Sequence, residues 1–361
     1  MANQSGQNLD RAANSEIRNY YQSHRLFRDR YRVLKKLGQG GFGVTYLAQN
    51  ATLPGEPYCV IKQLCPKAGS ELSLERAKVR FRREARALAN LGSHSQIPQL
   101  LDYFTTGGEF YLVQDYIHGD TLAQEVRRQG RLTEAQVKYF LREIIPVVRF
   151  IHRNRIIHRD IKPPNIIRSE RERRLVLIDF GAVREFLADV DDQNAMQAPA
   201  TQFVGTPGFA PPEQLALRPC YASDIYALGM TCLFLLTGRT PIEFDQDPHS
   251  GAIRWHHTVT VSPHLTTVLD HMLLPDAQDR YTSVDALERA LELEPHLDML
   301  AGCMNTRSRP ADGLDDEAVD LPTDGYLTPI QREAQAIRKW RMKRSLQRGP
   351  QGRSAGPVSL F

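Results

Sequence analysis

The sequence predicts an α+β chain of two lobes: a small β-rich lobe with one long helix, then a larger, mainly helical lobe. Three observations carry this expectation. Strand-like alternation dominates between Tyr31 and Tyr116, one long charged helical stretch interrupts it, and the helical period takes over beyond Gly119. With 361 residues and a prior of about 150 residues per domain, the chain is long enough for a sizeable core.

Residues 1–30 are polar, with no clear period, and read as a loosely ordered arm. Tyr31, Val33 and Leu34 begin a strand that stops at a glycine cluster, and Val44, Tyr46 and Ala48 continue as its hairpin partner. Tyr58 to Lys62 is a third short strand. Leu74 to Leu91 reads as a helix, with Phe81, Ala85 and Leu88 on one face. Phe110 to Tyr116 follows as a buried strand. Beyond Gly119, Thr133 and Gln136 have the spacing of a capping box. Val137, Leu141, Ile144, Val148 and Ile151 line the helix behind it, which Pro146 should bend. Leu175 to Ile178 reads as a strand. Ser223 is placed to cap an apolar helix ending at Gly238, and Ser283 one that runs to Leu293. No internal repeat is found.

Composition narrows the function classes. Apolar residues make up 41% and charged residues 24%, which excludes wholesale disorder and a membrane-like composition. The longest apolar run, Ile225 to Leu236, is too short for a bilayer, and Met1 to Asp10 lacks the apolar stretch of a signal peptide. Five scattered cysteines, with no Cys-x-x-Cys pair, disfavour structural zinc and a disulfide framework and point to the cytoplasm. The net charge of +4 is uneven. Thr328 to Arg353 holds eight Lys/Arg against one Glu, so the rest sums to −3 and offers no broad nucleic-acid surface. Asp312 to Asp324 holds six acidic residues and no basic one. Residues 298–361 therefore read as an acidic linker and a basic tail. The stretch 328–353 suits an acidic partner or a membrane surface, with Ile337 and Trp340 as apolar contacts, or simply solvent.

Three segments carry chemistry. Gly38, Gly40 and Gly43, with an extra Gly41, form a GxGxxG pattern between two strands. Glycine lets backbone N–H groups approach phosphate closely, although taken alone this loop is equally a tight hairpin. The strand-turn-strand setting argues against a dinucleotide fingerprint, which needs strand-turn-helix. Lys62, flanked by apolar Val60 and Ile61, needs a partner or a ligand unless it snorkels to the surface, and Glu84 on the next helix is a candidate. The third segment is His158-Arg159-Asp160-Ile161-Lys162-Pro163-Pro164-Asn165, with Asp179-Phe180-Gly181 after it. Asp160 can accept a hydroxyl proton and Lys162 can neutralise a transferring phosphoryl group. Asn165 and Asp179 supply hard oxygens suited to Mg²⁺.

In these motifs the chain from Tyr31 to Leu293 resembles protein kinases of the eukaryotic (Hanks) type, specifically bacterial serine/threonine kinases. Val60-Ile61-Lys62-Gln63, Ile178 to Val183 and Ser223 to Met230 look most like the cyanobacterial branch. The resemblance implies a bilobal kinase domain over 31–297, with lobes 31–117 and 118–297. It also implies ATP with Mg²⁺, Mn²⁺ being the alternative, and Ser/Thr hydroxyls of protein substrates. Gly38, Gly40, Gly41 and Gly43 would cover the phosphates, Lys62 would hold them and Glu84 would orient Lys62. Val44 and Val60 would wall the adenine pocket, with Gln114 as gatekeeper and Asp115 to Ile117 as hinge. Asp160 would be the base, Lys162 would meet the γ-phosphate, and Asn165 and Asp179 would bind metal. Leu88, His158 and Phe180 would stack as a spine. Lys162 and Thr206 match the Ser/Thr class rather than the tyrosine class. Arg159 would pair with a phosphorylated Thr201, and Glu213 with Arg280. Two departures stand out: the Ala-Pro-Glu signature reads Pro211-Pro212-Glu213, and Pro164 replaces a usual glutamate, which removes the basis for a basic substrate consensus. Two other readings are a nucleotide-sensing scaffold without activity and phosphotransfer to a small molecule. The intact Lys62, Asp160, Asn165 and Asp179 speak against the first. The region from Thr206 to Glu213, a peptide-docking surface in the family, speaks against the second.

Overall fold

The computed structural model of the chain describes residues 17, 20, 23, 25–39, 43–64, 71–107, 109–185 and 205–294. Gly40, Gly41, Thr201 and the segment 298–361 lie outside the described residues, so the expectations placed on them find no counterpart here.

The first lobe is a five-stranded antiparallel sheet in the order β1-β2-β3-β5-β4, built from β1 (Tyr31–Gln39), β2 (Gly43–Asn50), β3 (Tyr58–Leu64), β4 (Leu100–Thr106) and β5 (Glu109–Asp115). Helix α1 (Glu71–Leu91) crosses between β3 and β4 and turns Phe81, Ala85 and Leu88 into the core, as their spacing requires. β4 was not anticipated. Its residues run Leu-Leu-Asp-Tyr-Phe, without the alternation that marks a half-buried strand.

The other face of this sheet has its own core, and here the arm departs from expectation. Ile17 and Phe27 are fully buried in one cluster with Tyr31, Val33, Ala48, Ile61, Tyr111 and Val113. The Phe27 ring lies 5.0 Å from Tyr111, 5.4 Å from Tyr20 and 5.9 Å from Phe104. Arg30 reaches Asp102 at 3.3 Å, and Tyr31 donates to the same carboxylate at 3.0 Å. The packed unit thus reaches back to Ile17. A polar segment with a few isolated anchors shows no period, which is why its packing was invisible in the sequence. Replacing Phe27 by Leu, which leaves part of the ring's volume empty, should cost roughly 1–2 kcal/mol, read as a lower Tm in thermal melts.

The second lobe opens with β6 (Gly119–Thr121) and α2 (Leu122–Gln129), capped by Thr121. α3 (Glu134–Arg153) follows, with the anticipated capping box of Thr133 and Gln136, and it continues through Pro146. β7 (Ile156–Ile157), β8 (Ile166–Ser169), β9 (Leu175–Leu177) and β10 (Arg184–Glu185) are short. β6, β8 and β9 form one small sheet, and β7 pairs with β10. After the short α4 (Pro212–Leu215) comes α5 (Tyr221–Thr237), nearly all of it buried. Its N-cap is Cys220, and Ser223 sits three residues inside, where its hydroxyl accepts from the Cys220 N–H at 3.0 Å. Gly238 ends the helix at φ 69°, in the left-handed region that glycine tolerates best. β11 (Asp245–Gln246), β12 (Ile253–Arg254), α6 (Pro263–Met272) and α7 (Val284–Glu292) complete the lobe, the last capped by Ser283 as expected. The core of this lobe is α3 against α5 and α7, with α6 packed on α5 and α7.

Candidate active site

The site begins with the pleat of β3. Thr45 pairs with Lys62, Leu47 with Val60, Val60 with Gln114 and Lys62 with Leu112, so these side chains share one face of the sheet. Lys62 extends from that face, donating to Glu84 of α1 at 2.5 Å and to Asp179 at 3.1 Å. Burial opposes the lysine's charge, but Asp179 and Glu84 outweigh it and push its pKa up. Lys62 in turn holds Asp179 at about 2, whereas burial raises Glu84. Asp179 is therefore a carboxylate at neutral pH, half-exposed on the open side.

Val44 requires a correction. The expectation that it walls the adenine pocket fails on register: Val44 pairs with Gln63 and is buried on the opposite face, in the cluster with Tyr46, Ala48 and Ile61. Alternation along β2 gives the place to Thr45 instead. Val60 and Gln114 lie on the expected face, with Asp115 ending β5 and Ile117 two residues beyond. Gly38 ends up opposite Thr45 in β1, and Gly43 opens β2.

Across from Lys62, the segment after β7 gathers polar groups on one carboxylate. Asp160 accepts from Lys162 Nζ at 2.8 Å and Asn165 Nδ2 at 2.9 Å on one oxygen, and from Thr206 Oγ1 at 2.8 Å on the other. Lys162 also donates to Thr206 Oγ1 at 2.6 Å. The amide nitrogen of Asn165 is committed to Asp160, so its Oδ1 is the atom available to a ligand. Asn165 and Asp179 are joined through backbone, the Ile178 N–H donating to the Asn165 carbonyl at 2.8 Å. Two oxygen donors, one amide and one carboxylate, fit a hard divalent cation that draws its other ligands from phosphate and water.

Several contacts hold this arrangement. Asp224 of α5, fully buried, accepts from the backbone N–H groups of His158 and Arg159 at 2.9 Å each and lies 2.8 Å from His152 Nε2. The Gln214 side chain donates to the Arg159 carbonyl at 2.6 Å. His158 meets the Phe180 ring at 4.9 Å, and Leu88 lies in the same core. Arg159 and Asp179 both adopt left-handed backbone, at φ 66° and 69°, a strain that surrounding structure must sustain. A Cβ on Gly181 would stand 3.2 Å from Glu84 Oε2, so glycine keeps room for the Lys62 partner. Arg159 donates to the carbonyls of Ala182 and Val183, fixing the chain just after Gly181. Farther out, Arg280 bonds both oxygens of Glu213 at 2.7 and 3.0 Å, as the sequence suggested.

A model of the protein kinase domain matches residues 31–291. The chain belongs to the protein kinase family. Relatives of this kinase include serine/threonine-protein kinase B of Synechocystis, 47% identical over 291 residues, which cover 80% of this chain and 51% of that protein. Serine/threonine-protein kinase PknA of Nostoc is 45% identical over 271 residues, 74% of this chain and 48% of that one. Calcium/calmodulin-dependent protein kinase type 1 of Caenorhabditis elegans is 29% identical over 273 residues, 72% of this chain and 73% of that one. The chain spans about half the length of the cyanobacterial relatives it matches. Kinases of this family use ATP and a divalent metal. Among the described residues of this kinase, no helix is long and apolar enough to cross a membrane.

Three site residues escaped the sequence reading. Thr45 needed the strand register. Gln214 left no signal. Asp224 did leave one, a lone acid in the apolar run of α5, and a buried charge there demands partners.

Proposed function

We propose that the chain transfers the γ-phosphoryl group of ATP to Ser and Thr hydroxyls of protein substrates. The observation that carries this reading is one carboxylate, Asp160, held by Lys162, Asn165 and Thr206 opposite the Lys62–Glu84–Asp179 chain of charges. Lys62 holds the α- and β-phosphates, with Glu84 fixing its position. Gly38, Gly40, Gly41 and Gly43 cover the triphosphate. The adenine lies against Val60, Thr45 and Gln114 and is held by the hinge Asp115–Ile117. Asp160 orients the attacking hydroxyl and receives its proton. Lys162 neutralises charge on the group in transfer, and Thr206 ties both residues to the segment on which a substrate peptide rests. Asn165 and Asp179 would hold Mg²⁺, which supplies neutralisation of the triphosphate charge when bound. Catalysis on this reading is positioning and charge neutralisation.

Lys162 together with Thr206 supports Ser/Thr acceptors, and Pro164 supports a consensus without obligatory basic residues. Autophosphorylation at Thr201, with Arg159 as counter-charge, belongs to the same reading, as does a role in bacterial signal transduction. We place the kinase domain at 31–297, with Ile17, Tyr20 and Phe27 packed onto it, and the reaction in the cytoplasm, which the free thiols Cys59, Cys220 and Cys232 support. The basic stretch 328–353 adds a contact for an acidic partner or a membrane surface, a reading its composition alone supports.

Radiolabelled ATP, Mg²⁺ and a generic protein substrate test the proposal. The wild-type chain should transfer label, and Lys62→Met should lose nearly all of it because the phosphates lose their anchor and Glu84 its partner. Equal transfer by both would defeat the assignment.

A further inference from the structure

We propose that the carboxamide of Gln114 reads the 6-position of the purine base, and that the site therefore takes 6-oxopurine triphosphates as well as ATP. On the kinase reading, on which this rests, Gln114 lies against the base. What singles it out is a polar group with nothing to bond. Gln114 is 5% exposed, yet its carboxamide makes no hydrogen bond among the described residues. Other buried carboxamides of the chain are bonded. Gln96 donates to the carbonyls of Glu143 at 2.8 Å and Leu175 at 3.1 Å, and Gln214 to that of Arg159 at 2.6 Å. Gln63 accepts from Tyr46 at 3.5 Å, and its unpaired nitrogen is sealed in the core, whereas the Gln114 carboxamide keeps a small opening. A carboxamide taken from water without a partner destabilises the fold, so its presence calls for a group that completes it.

The fold places that group where a base would lie. Gln114 pairs with Val60 and Leu112 with Lys62, so Gln114 stands on the Lys62 face, displaced toward the hinge by two strand residues, about 7 Å. A nucleotide whose phosphates meet Lys62 thus has its base beside Val60 and Gln114. The strand end is fixed at the next residue. The Asp115 N–H donates to the Gln99 carbonyl at 3.1 Å, and the Asp115 carboxylate accepts from the Gln99 N–H at 3.2 Å. The sugar leaves a purine from its five-membered ring, so the 6-substituent, on the other ring, lies at the end of the base remote from sugar and phosphates.

The chemistry of the side chain sets what it can read. A carboxamide offers one acceptor oxygen and an NH₂ with two donors. Its oxygen accepts from the 6-amino group of ATP, and after a half-turn its NH₂ donates to the 6-oxygen of an inosine or guanosine triphosphate. That turn breaks no bond within the chain, because the carboxamide makes none. An apolar side chain at this place would read neither group.

The test reads affinity rather than transfer. Fluorescent trinitrophenyl-ATP bound to the full chain with Mg²⁺ is displaced by ATP, by ITP, which lacks the 2-amino group of GTP, and by purine riboside triphosphate, which carries only hydrogen at C6. Gln114→Met, of similar length, should weaken ATP and ITP by about tenfold each, the loss of one hydrogen bond, and should not weaken purine riboside triphosphate. Without nucleotide the variant should melt no lower than wild type, since the group removed has no partner. A lower melting temperature would give Gln114 a part in the fold and overturn the proposal. So would equal weakening of all three nucleotides, weakening of only one of ATP and ITP, no weakening at all, or failure of ITP to displace the probe from the wild-type chain. A chain that discriminates these nucleotides through Gln114 but transfers no phosphate would sink the kinase reading and leave the base reading standing.

Discussion

Asp160→Asn should lower the rate of phosphoryl transfer by about 10²–10⁴-fold while leaving ATP affinity and thermal stability close to wild type. The geometry makes this substitution unusually clean. The retained oxygen of asparagine can face Lys162 and Asn165, the donors now at 2.8 and 2.9 Å, and its new NH₂ can face Thr206, whose hydroxyl is able to turn and accept. Only the Thr206 O–H, itself half-buried, gives up its acceptor, and the volume is unchanged. What disappears is basicity and one negative charge at the point where the acceptor hydroxyl must give up its proton. Steady-state kinetics with a protein substrate, alongside nucleotide binding by the same variant, check the split. A variant as active as wild type would remove Asp160 from the chemistry. One that also lost nucleotide binding would show that the carboxylate builds the pocket rather than serving the reaction.

Much of this site was legible because its residues are close in sequence and chemically unlike their surroundings. Asp160, Lys162 and Asn165 lie within six positions, and a lysine between apolar strand residues or an acid before Phe180 cannot be buried without a partner. The helices were legible where caps and period agreed, as at Thr133 and Ser283. Failures came where the deciding information is long-range. Val44 and Thr45 differ by one step of a pleat, and a glycine-rich turn carries no register; the pairing of Thr45 with Lys62 settles which one shares the Lys62 face of the sheet. Ser223 looked like a cap because it precedes an acid and an apolar run, yet the chain turns into the helix earlier, at Cys220. Asp224 does its work on backbone N–H groups 65 and 66 positions away, a relation that no local pattern expresses. Phe27 is buried by Tyr111 and Phe104 from other strands, and nothing in its own polar neighbourhood foretells that.

The second large effect concerns Arg280. Its side chain is fully buried and bonded to both Glu213 oxygens and the carbonyls of Ala222, Leu274 and Pro275, with the Tyr226 ring 4.8 Å from its guanidinium carbon. Arg280→Met keeps comparable bulk but takes a donor from the Leu274 and Pro275 carbonyls and leaves a largely buried carboxylate with the Ser223 hydroxyl, at 2.7 Å, for company. Removing one partner of such a pair costs about 3–5 kcal/mol, because the remaining charge stays desolvated without its compensation. For a domain of this size that is a fall in Tm of roughly 6–15 °C. Adding Glu213→Gln to the Met variant should recover part of the loss, since the stranded charge is gone; the coupling is read from the double-mutant cycle by thermal or urea unfolding. Costs that simply add would mean that the two side chains act independently. The position of the pair gives the loss a functional direction. Glu213 opens α4 a few residues after Thr206, so local opening there loosens the contacts of Thr206 with Asp160 and Lys162 before the lobe unfolds. Activity of Arg280→Met should therefore fall at temperatures below its own melting transition, whereas Phe27→Leu, which weakens the far face of the other lobe, should lose activity only as it melts.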